Sequence, residues 1–459
     1  MALTEEEHAQ VVVLDRKISL GKKPLKRYDE YLEGEQPLRY MAPQLEAEVG
    51  SIVTQLVINW PMLVVNAFEN RLDITGFRYP KSADRDPVIW EWWDHVDGEE
   101  QSQLAHFEAL GLGRVFAMVG SGDEDGDPPV LTIEHPSQVA VGRDPRTRII
   151  REALYRWQED DKSEWGQLHL PDVTITLKKQ GRTWVDEDRD EHNLNEVPVV
   201  PIVHRPRLLR PDGRSLFHDI IPLADAANKM ATDMMVSGEF HAMPRRWAIG
   251  MSEEDFEDEH GQQMSTWSTV AGRLWTTDRK PAEVAVGQFP EADLVVFHNT
   301  IKLLAQLVGQ LIGLPHDYLG FQTDNPPSAE SRRAAEVRLT KGAERIITWF
   351  GSPWKRVGGL FLRFDSGGAE LPKEAASLKA VWNDPATPTR AQQVDAIVKL
   401  VESHIIPVEQ AREDLGYDEE QRRRMAQQDD DASRRSLSLL AEAGTAAVKP
   451  APNAPPPAA

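Results

Sequence analysis

The sequence predicts an α+β fold in which helical parts at both ends of the chain flank a middle part rich in β-strands. Apolar residues recur at helical spacing before about residue 112 and after about residue 213. Between about residues 113 and 206, short β-type runs such as Val130–Glu134 are separated by Gly, Pro and Asp clusters, which is typical of antiparallel strands. Finally, two helices with regular apolar rows flank a short insertion.

The composition limits the possible classes of protein. The 459 residues have a formal net charge of −22, 40% are hydrophobic and none is cysteine. This balance is that of a folded chain, and the lack of cysteine excludes disulfides, thiolate metal sites and cysteine nucleophiles. No stretch approaches the roughly 20 uninterrupted apolar residues of a membrane span, so we expect no membrane partner. The acidic charge argues against a surface that grips DNA phosphates tightly. It suits a surface along which DNA slides and, equally well, a protein whose charge serves only solubility.

The N-terminal part, residues 1–112, is predicted to be mainly helical. Pro61 should begin or kink a helix, and Gly76 marks an exit into extended chain. Three tryptophans, Trp90, Trp92 and Trp93, are expected to pack on this layer.

A run of alternating aspartates lies in the β-rich part. Asp123, Asp125 and Asp127, with Glu134 at the twelfth position, have the spacing of a calcium loop, but Pro128 stands where such a loop needs glycine. We therefore favour a solvated hairpin tip over a metal site.

Two helices with apolar rows are predicted on either side of residues 243–290. In each row the spacing alternates between three and four residues, which is typical of helices packed side by side. The first row, within 215–242, is Leu216, Ile220, Leu223, Ala227, Met230 and Met234; the second, within 294–313, is Leu294, Phe297, Ile301, Leu304, Val308 and Leu311. Pro222 lies within the first row, so the regular part of that helix is expected to begin there, with Asp219 or His218 near the cap.

The C-terminal part continues with a loop and more helices. Ser328 is predicted to cap a helix that runs to about Phe364 and bends near Pro353. Pro407 should open a short helix that ends at Gly416, and a charged helix follows from Asp418 to about residue 443. The basic residues of the long helix have either a solvated, ion-paired role or a DNA or partner contact; they are Arg332, Arg333, Arg338, Lys341 and Arg345.

No complete catalytic signature occurs in the chain. The GxxxxGK[ST], HExxH and GxSxG patterns are absent, so we predict neither enzymatic activity nor a cofactor. The alternative of a metal-dependent nuclease would rest on the acidic runs 123–127 and 253–259. Four histidines are interpreted as surface or hydrogen-bonded structural residues: His204, His218, His241 and His298.

Three stretches, in order, resemble the portal proteins of long-tailed bacteriophages. The first joins YDEYLEGEQPL (28–38) with VVNAFENRLDITGF (64–77). The second, in 312–357, contains IGLPHDYLG, NPPSAES and WFGSPWKRV. The third, in 381–416, contains WNDP, TPTRAQQVDAIVKL and IIPVEQAREDLG. The resemblance covers nearly the whole chain.

The resemblance implies an elongated subunit of a ring of about a dozen copies. Its parts would be a wing (1–213, helical to 112 and β-rich from 113 to 206), a first stem helix (214–242), a small α/β clip (243–290), a second stem helix (291–314), a channel loop (315–327), a long bent helix returning to the wing (328–387), a helical crown (388–444) and a disordered tail (445–459).

The resemblance also implies partners and site residues. Double-stranded viral DNA would pass through the ring transiently, terminase and later neck proteins would dock on the clip, and capsid and scaffold proteins would surround the ring in the virion. The channel-loop contacts with DNA would be His316, Tyr318, Phe321, Gln322, Thr323 and Asn325. The channel lining could include Lys302, Gln306 and Gln310, although an intersubunit salt bridge suits Lys302 equally well. The clip-docking residues would be Trp247, Glu253, Glu254, Asp255, Glu257, Asp258, Glu259 and Trp267, with tryptophans buried in a small module as the alternative. A minor capsid or connector protein remains a second reading of the whole chain.

Overall fold

The computed structural model describes residues 3–37, 56–80, 86–122, 127–241, 246–250, 280, 284–288, 293–320, 328–366, 375–386, 390–417 and 419–447. Helices and strands are mixed within these residues, as the α+β prediction requires. The chain divides into two compact units, Met1–Pro385 and Ala386–Ala459, and each is described by itself.

The first unit contains seven of the described helices and all of the described strands. The helices are α1 (Glu5–Glu33), α2 (Trp60–Glu69), α3 (Pro87–His95), α4 (Gly98–Leu112), α5 (Ile221–His241), α6 (Val295–Ile312) and α7 (Ala329–Asp365). The strands are β1 (Ile74–Arg78), β2 (Arg114–Gly120), β3 (Val130–Glu134), β4 (Val139–Arg143), β5 (Ile150–Gln158), β6 (Glu164–His169), β7 (Val173–Gln180), β8 (Thr183–Glu191), β9 (Val199–Val203), β10 (Arg246–Ile249), β11 (Ala285–Gln288) and β12 (Lys379–Trp382).

The first half of α1 packs on an antiparallel sheet of order β4-β5-β6-β7-β8. Its buried side chains Val11, Leu14 and Ile18 are at most 1% exposed and join the apolar face of that sheet. A capping box begins the helix: Glu7 N donates to Thr4 Oγ1 at 3.2 Å, and Thr4 N donates to the Glu7 carboxylate at 2.8 Å. The N-terminal helix is therefore part of the β-rich region's core.

A second antiparallel sheet, of order β3-β2-β9, stands beside α4 and α7. Gly120 of β2 pairs with Val130 of β3, so the aspartate run connects two paired strands, as the hairpin interpretation expects. Residues 123–126 lie outside the described part of the chain. In the part that is described, no group of three or more His, Asp or Glu side chains could hold a metal ion.

The longest helix, α7, crosses the main core. At 1.5 Å per residue its 37 residues span about 55 Å. Ser328 caps it as predicted, because its side chain accepts from Ser331 N at 3.2 Å, and Pro353 lies within it without ending it. The buried face packs against strands β2, β9 and β12 and helices α2 and α3; it consists of Leu339, Ala343, Ile346, Phe350, Trp354, Val357, Leu360 and Phe361.

The helix that holds the first apolar row begins beside Pro222, as expected from the sequence. Helix α5 begins at Ile221, whereas Leu216 and Ile220 lie in turns before it, although both are buried. The reason is Pro222, which lacks an amide hydrogen and so cannot continue a helix begun several residues earlier. The apolar row thus starts outside the helix.

The second unit contains three helices, α8 (Arg390–Glu402), α9 (Val408–Asp414) and α10 (Glu419–Ala447). Pro407 precedes α9 and Gly416 follows it with a φ of 84°, as expected from the sequence. Arg412 joins α9 to α10 through an ion pair of 2.5 Å with Asp429. Helix α10 continues three residues into the predicted disordered tail, because alanines favour the helical state.

Candidate functional site

Helices α5 and α6 pack side by side, as the spacing of their apolar residues predicts. The contact uses small side chains: Ala224, Ala227 and Ala231 of α5 and Ala305 of α6 are at most 1% exposed. Val308 is also fully buried in the same cluster. Small residues let the two helix axes approach closely, and they fix which face of α6 is turned away from α5.

The outer face of α6 carries a polar row and an apolar row. Lys302 and Gln310 are exposed and Gln306 is half-buried, one helical turn apart along the same side. A second row, one residue further round, remains exposed by 38–57% and consists of Leu303, Leu307 and Leu311. Such a row normally requires a partner that removes it from water.

Helix α6 is also long and apolar enough to cross a membrane, judged by length and composition alone. Only a small share of its residues is buried within the chain. Lys302, Gln306 and Gln310 on one side oppose this interpretation, because they would place a charge and two amides in lipid.

The first part of the predicted channel loop is folded onto the core. Helix α6 ends at Gly313 with a φ of 86°, and residues His316–Leu319 form a single 3₁₀ turn. Leu319 is 6% exposed, and the Tyr318 hydroxyl accepts a hydrogen bond of 3.0 Å from Arg71. Tyr318 is thus half-buried, and the hydrogen bond from Arg71 fixes its hydroxyl group.

The other predicted loop residues are described only in part. For His316, only the backbone position in the 3₁₀ turn is described. Four more lie outside the described residues: Phe321, Gln322, Thr323 and Asn325.

The base of the predicted clip is an antiparallel pair formed by β10 and β11. Trp247 of β10 pairs with Gly287 of β11 and its indole lies over that glycine, where an added Cβ would come within 2.3 Å of the ring. Trp247 is half-buried, which fits the packing alternative as well as docking. The other predicted docking residues lie outside the described part: Glu253, Glu254, Asp255, Glu257, Asp258, Glu259 and Trp267.

Buried polar groups on α5 anchor it to the rest of the unit, and the sequence analysis missed them. The Tyr31 hydroxyl donates to Asp225 at 2.5 Å, and Ile58 N donates to Asn228 Oδ1 at 2.8 Å. Thr232, 1% exposed, donates to the Asn228 carbonyl at 2.8 Å. The sequence did contain an indication of their burial, because Asp225, Asn228 and Thr232 recur at helical spacing beside the buried alanines.

Two basic residues of α7 have local partners. Arg338 donates to the carbonyl of Gln310 at 3.0 Å, at the C-terminal turn of α6, and Lys341 forms an ion pair of 2.6 Å with Glu344. The contact of Lys341 supports the ion-paired interpretation at that position, whereas Arg338 forms a hydrogen bond with a neutral carbonyl. Arg345 is exposed.

The buried histidines are structural. Burial lowers the pKa of His106 to about 3 and that of His204 to about 4, so both stay neutral near pH 7. His106 accepts from the Trp354 indole at 2.8 Å, and His204 donates from Nδ1 to the Arg214 carbonyl at 2.7 Å. Among the described residues, the partners of these two histidines are an indole and a backbone carbonyl, neither of which is a nucleophile.

Comparison of the sequence with known proteins identifies a family. A family model described as "Phage portal protein, SPP1 Gp6-like" matches residues 19–435. The portal protein of Mycobacterium phage D29 is 30% identical over 408 residues, which cover 86% of this chain and 82% of that one. The portal protein of Mycobacterium phage L5 is 29% identical over 430 residues, which cover 90% and 87% of the two chains. The chain therefore belongs to the phage portal protein family.

Proposed function

We propose that copies of this chain form the ring-shaped channel at one vertex of a phage capsid, through which DNA is packaged and ejected. The family match over residues 19–435 carries this proposal. The ring would contain about a dozen subunits and be a component of the virion, assembled in the host cytoplasm. It would act as a passive conduit, with a separate terminase hydrolysing ATP.

The surface of α6 supports the role of a stem helix. A helix in a ring of similar helices needs apolar contacts on more than one side and a polar side towards the channel. The buried row against α5 supplies one contact, and the exposed row Leu303, Leu307 and Leu311 would meet the neighbouring subunit. Lys302, Gln306 and Gln310 would then face DNA. The same arrangement accounts for the apolar composition of α6 without a membrane.

The charge of the chain supports sliding of the DNA. A net charge of −22 per subunit repels phosphates at long range, and the proposed lining adds only one cation per subunit, so duplex DNA would adhere weakly to the ring. Transient contacts would come from the channel loop, residues 315–327. Because the 3₁₀ turn holds the start of this loop on the core, we expect the contacts to come from residues after Gly320.

The clip and crown would provide the remaining contacts. The insertion between α5 and α6, with β10 and β11 at its base, would dock terminase first and neck proteins later. The crown would face the capsid interior, and the wing would meet capsid and scaffold proteins. The docking roles of Trp247 and the acidic run remain predictions.

Negative-stain imaging together with solution mass tests the ring. A closed ring of about a dozen chains of 51.7 kDa would have a mass of about 620 kDa and a central pore. A stable monomer or dimer that forms no ring with scaffold or at high concentration would instead favour a minor capsid or connector role.

A charge substitution tests the channel lining. Gln306→Lys and Gln310→Lys place cations where phosphates would pass, so we expect slower DNA packaging in a purified motor assay while rings remain intact. Thr348→Lys, at an exposed position on α7, is the control and should leave the packaging rate unchanged. Unchanged rates for the α6 variants would remove that row from the lining.

A further inference from the structure

The most exposed apolar side chains of the described surface lie at the tip of a short turn after β9. Arg207 and Arg210 exchange two backbone hydrogen bonds of 3.0 and 2.9 Å, which leaves Leu208 and Leu209 as a two-residue connection. These leucines are 95% and 97% exposed. The turn is compact, so the exposure belongs to an ordered, hydrogen-bonded element. We name residues 205–212 the arginine-leucine turn.

The base of the turn is rigid because two glycines meet there. Gly213 has a φ of 75°, and a Cβ on it would come within 2.4 Å of the Gly113 carbonyl oxygen. His204 N donates to that same oxygen at 2.9 Å, and Arg214 N donates to the His204 carbonyl at 3.1 Å. The 1% exposed His204 also donates to the Arg214 carbonyl. A tip on such a base loses little conformational entropy when it binds a partner.

The surroundings of the turn are basic, although the chain is acidic. The turn borders an open cleft of about 1010 Å³. The basic residues that line the cleft are Arg143, Arg148, Arg207, Arg210, Arg214 and His218. Arg214 is paired with Asp219, whereas Arg148, Arg207 and Arg210 form no ion pair with any residue that the structure describes. Three guanidinium groups thus remain available around two exposed leucines.

This combination fits a protein surface better than a nucleic acid. Phosphates would satisfy the arginines but leave both leucines against a hydrated backbone, whereas an apolar pocket with a carboxylate rim would satisfy both kinds of side chain. Complementary charge is present on the chain itself. The outer strand β8 exposes Glu187, Asp188, Asp190 and Glu191. Contacts between successive copies of one chain in a ring join two different patches, so a basic patch and an acidic patch suffice.

We propose that the arginine-leucine turn of one subunit docks on a carboxylate-bearing surface of a second copy of this chain. The inference rests on ring assembly as given under the proposed function, and it adds a contact outside α5 and α6. Leu208 and Leu209 provide the apolar anchors, and Arg207 and Arg210 select the acidic surface.

Site-specific photo-crosslinking in the purified full-length chain tests the contact. A benzophenone amino acid in place of Leu208 should, on irradiation of the assembled protein, give covalent dimers and higher species, with the crosslink in an acidic peptide of the other copy. An oligomer that forms without crosslinks between chains, or one whose residue 208 captures added duplex DNA instead, overturns the inference but leaves the proposed function intact. A chain that stays monomeric with scaffold and at high concentration refutes both.

Substitutions provide the second measurement. The pair Leu208→Ser and Leu209→Ser, together, should weaken association between copies by about tenfold or more in sedimentation experiments, with an unchanged melting temperature because neither side chain is buried. Arg207→Glu with Arg210→Glu should weaken it similarly, and the wild-type association should weaken with salt. The control pair Leu437→Ser and Leu439→Ser changes leucines that are 67% and 65% exposed on α10. Equal association of wild type and turn variants would contradict the proposal.

Discussion

The ion pair between Glu7 of α1 and Arg189 of the five-stranded sheet should contribute measurably to the stability of α1. Arg189 donates to both Glu7 oxygens at 3.0 and 2.8 Å, and its Nε donates to Asp186 at 2.6 Å. The Arg189 guanidinium, with a smaller contribution from the hydrogen bonds of Thr4, lowers the pKa of Glu7 from 4.5 to about 2, which corresponds to about 3 kcal/mol in total. The Arg189 side chain is 24% exposed, so solvent screening reduces the expected contribution to about 2 kcal/mol.

Glu7→Gln isolates this interaction, because glutamine retains the reciprocal cap with Thr4. We expect amide protection in the first half of α1 to fall by about 30-fold in hydrogen-exchange mass spectrometry, as expected for about 2 kcal/mol. Glu6→Gln is the matched control, since it removes the same charge from the same exposed helical turn without touching Arg189. The carboxyl pKa is depressed in the folded chain, so the contribution is complete above pH 4.5 and is lost as the pH falls towards 2. Equal protection in the two variants would refute the reasoning.

Three further predictions concern stability. Gly213→Ala should lower the free energy of unfolding, measured in urea, by more than about 2 kcal/mol. Gly181 has a φ of 66° and no atom near an added Cβ, so the control Gly181→Ala should cost about 1 kcal/mol. Equal losses would contradict the close approach of Gly213 to Gly113. Leu14→Ala should cost about 2–5 kcal/mol, and the 58% exposed Val13→Ala less than about 0.5 kcal/mol, measured by the same titration. Burial lowers the pKa of three histidines in the folded chain, so the unfolded chain takes up protons at a higher pH than the folded chain does. The free energy of unfolding should therefore fall as the pH drops below 6.5, by up to roughly 4 kcal/mol per pH unit near pH 5. Urea midpoints that stay constant from pH 7.5 to 5 would contradict this prediction. The histidines are His106, His169 and His204.

Local signals predicted much of the fold. Ser328 caps α7, Pro407 and Gly416 bound α9, and the β-type run at Val130–Glu134 is β3, because each depends on interactions within a few residues. The helix α5 begins at Ile221, next to Pro222 as expected from the sequence, although the buried Leu216 and Ile220 extend the apolar row beyond the helix. The spacing of apolar residues predicts which residues are buried, but a buried residue need not lie in a helix.

The candidate site was predictable only where one element carries it. The polar side of α6 follows from its own sequence, so Lys302, Gln306 and Gln310 share one side of the helix, as expected from their spacing. The bond between Arg71 and Tyr318 joins residues 247 positions apart, and the meeting of Gly113 with Gly213 is similarly remote. Neither contact produces a periodic pattern in the sequence, because each depends on where two distant elements come together.

The 3₁₀ turn after α6 also determines how this part of the chain carries mechanical load. Tension on the chain beyond Gly320 reaches the buried Leu319 and the Arg71–Tyr318 hydrogen bond before it reaches the last turn of α6. Arg71 itself follows α2 and is 8% exposed, so the pull is distributed into a packed core instead of along a single helix. A pull on the segment after Gly320 would therefore have to break these contacts before it could unwind the last turn of α6.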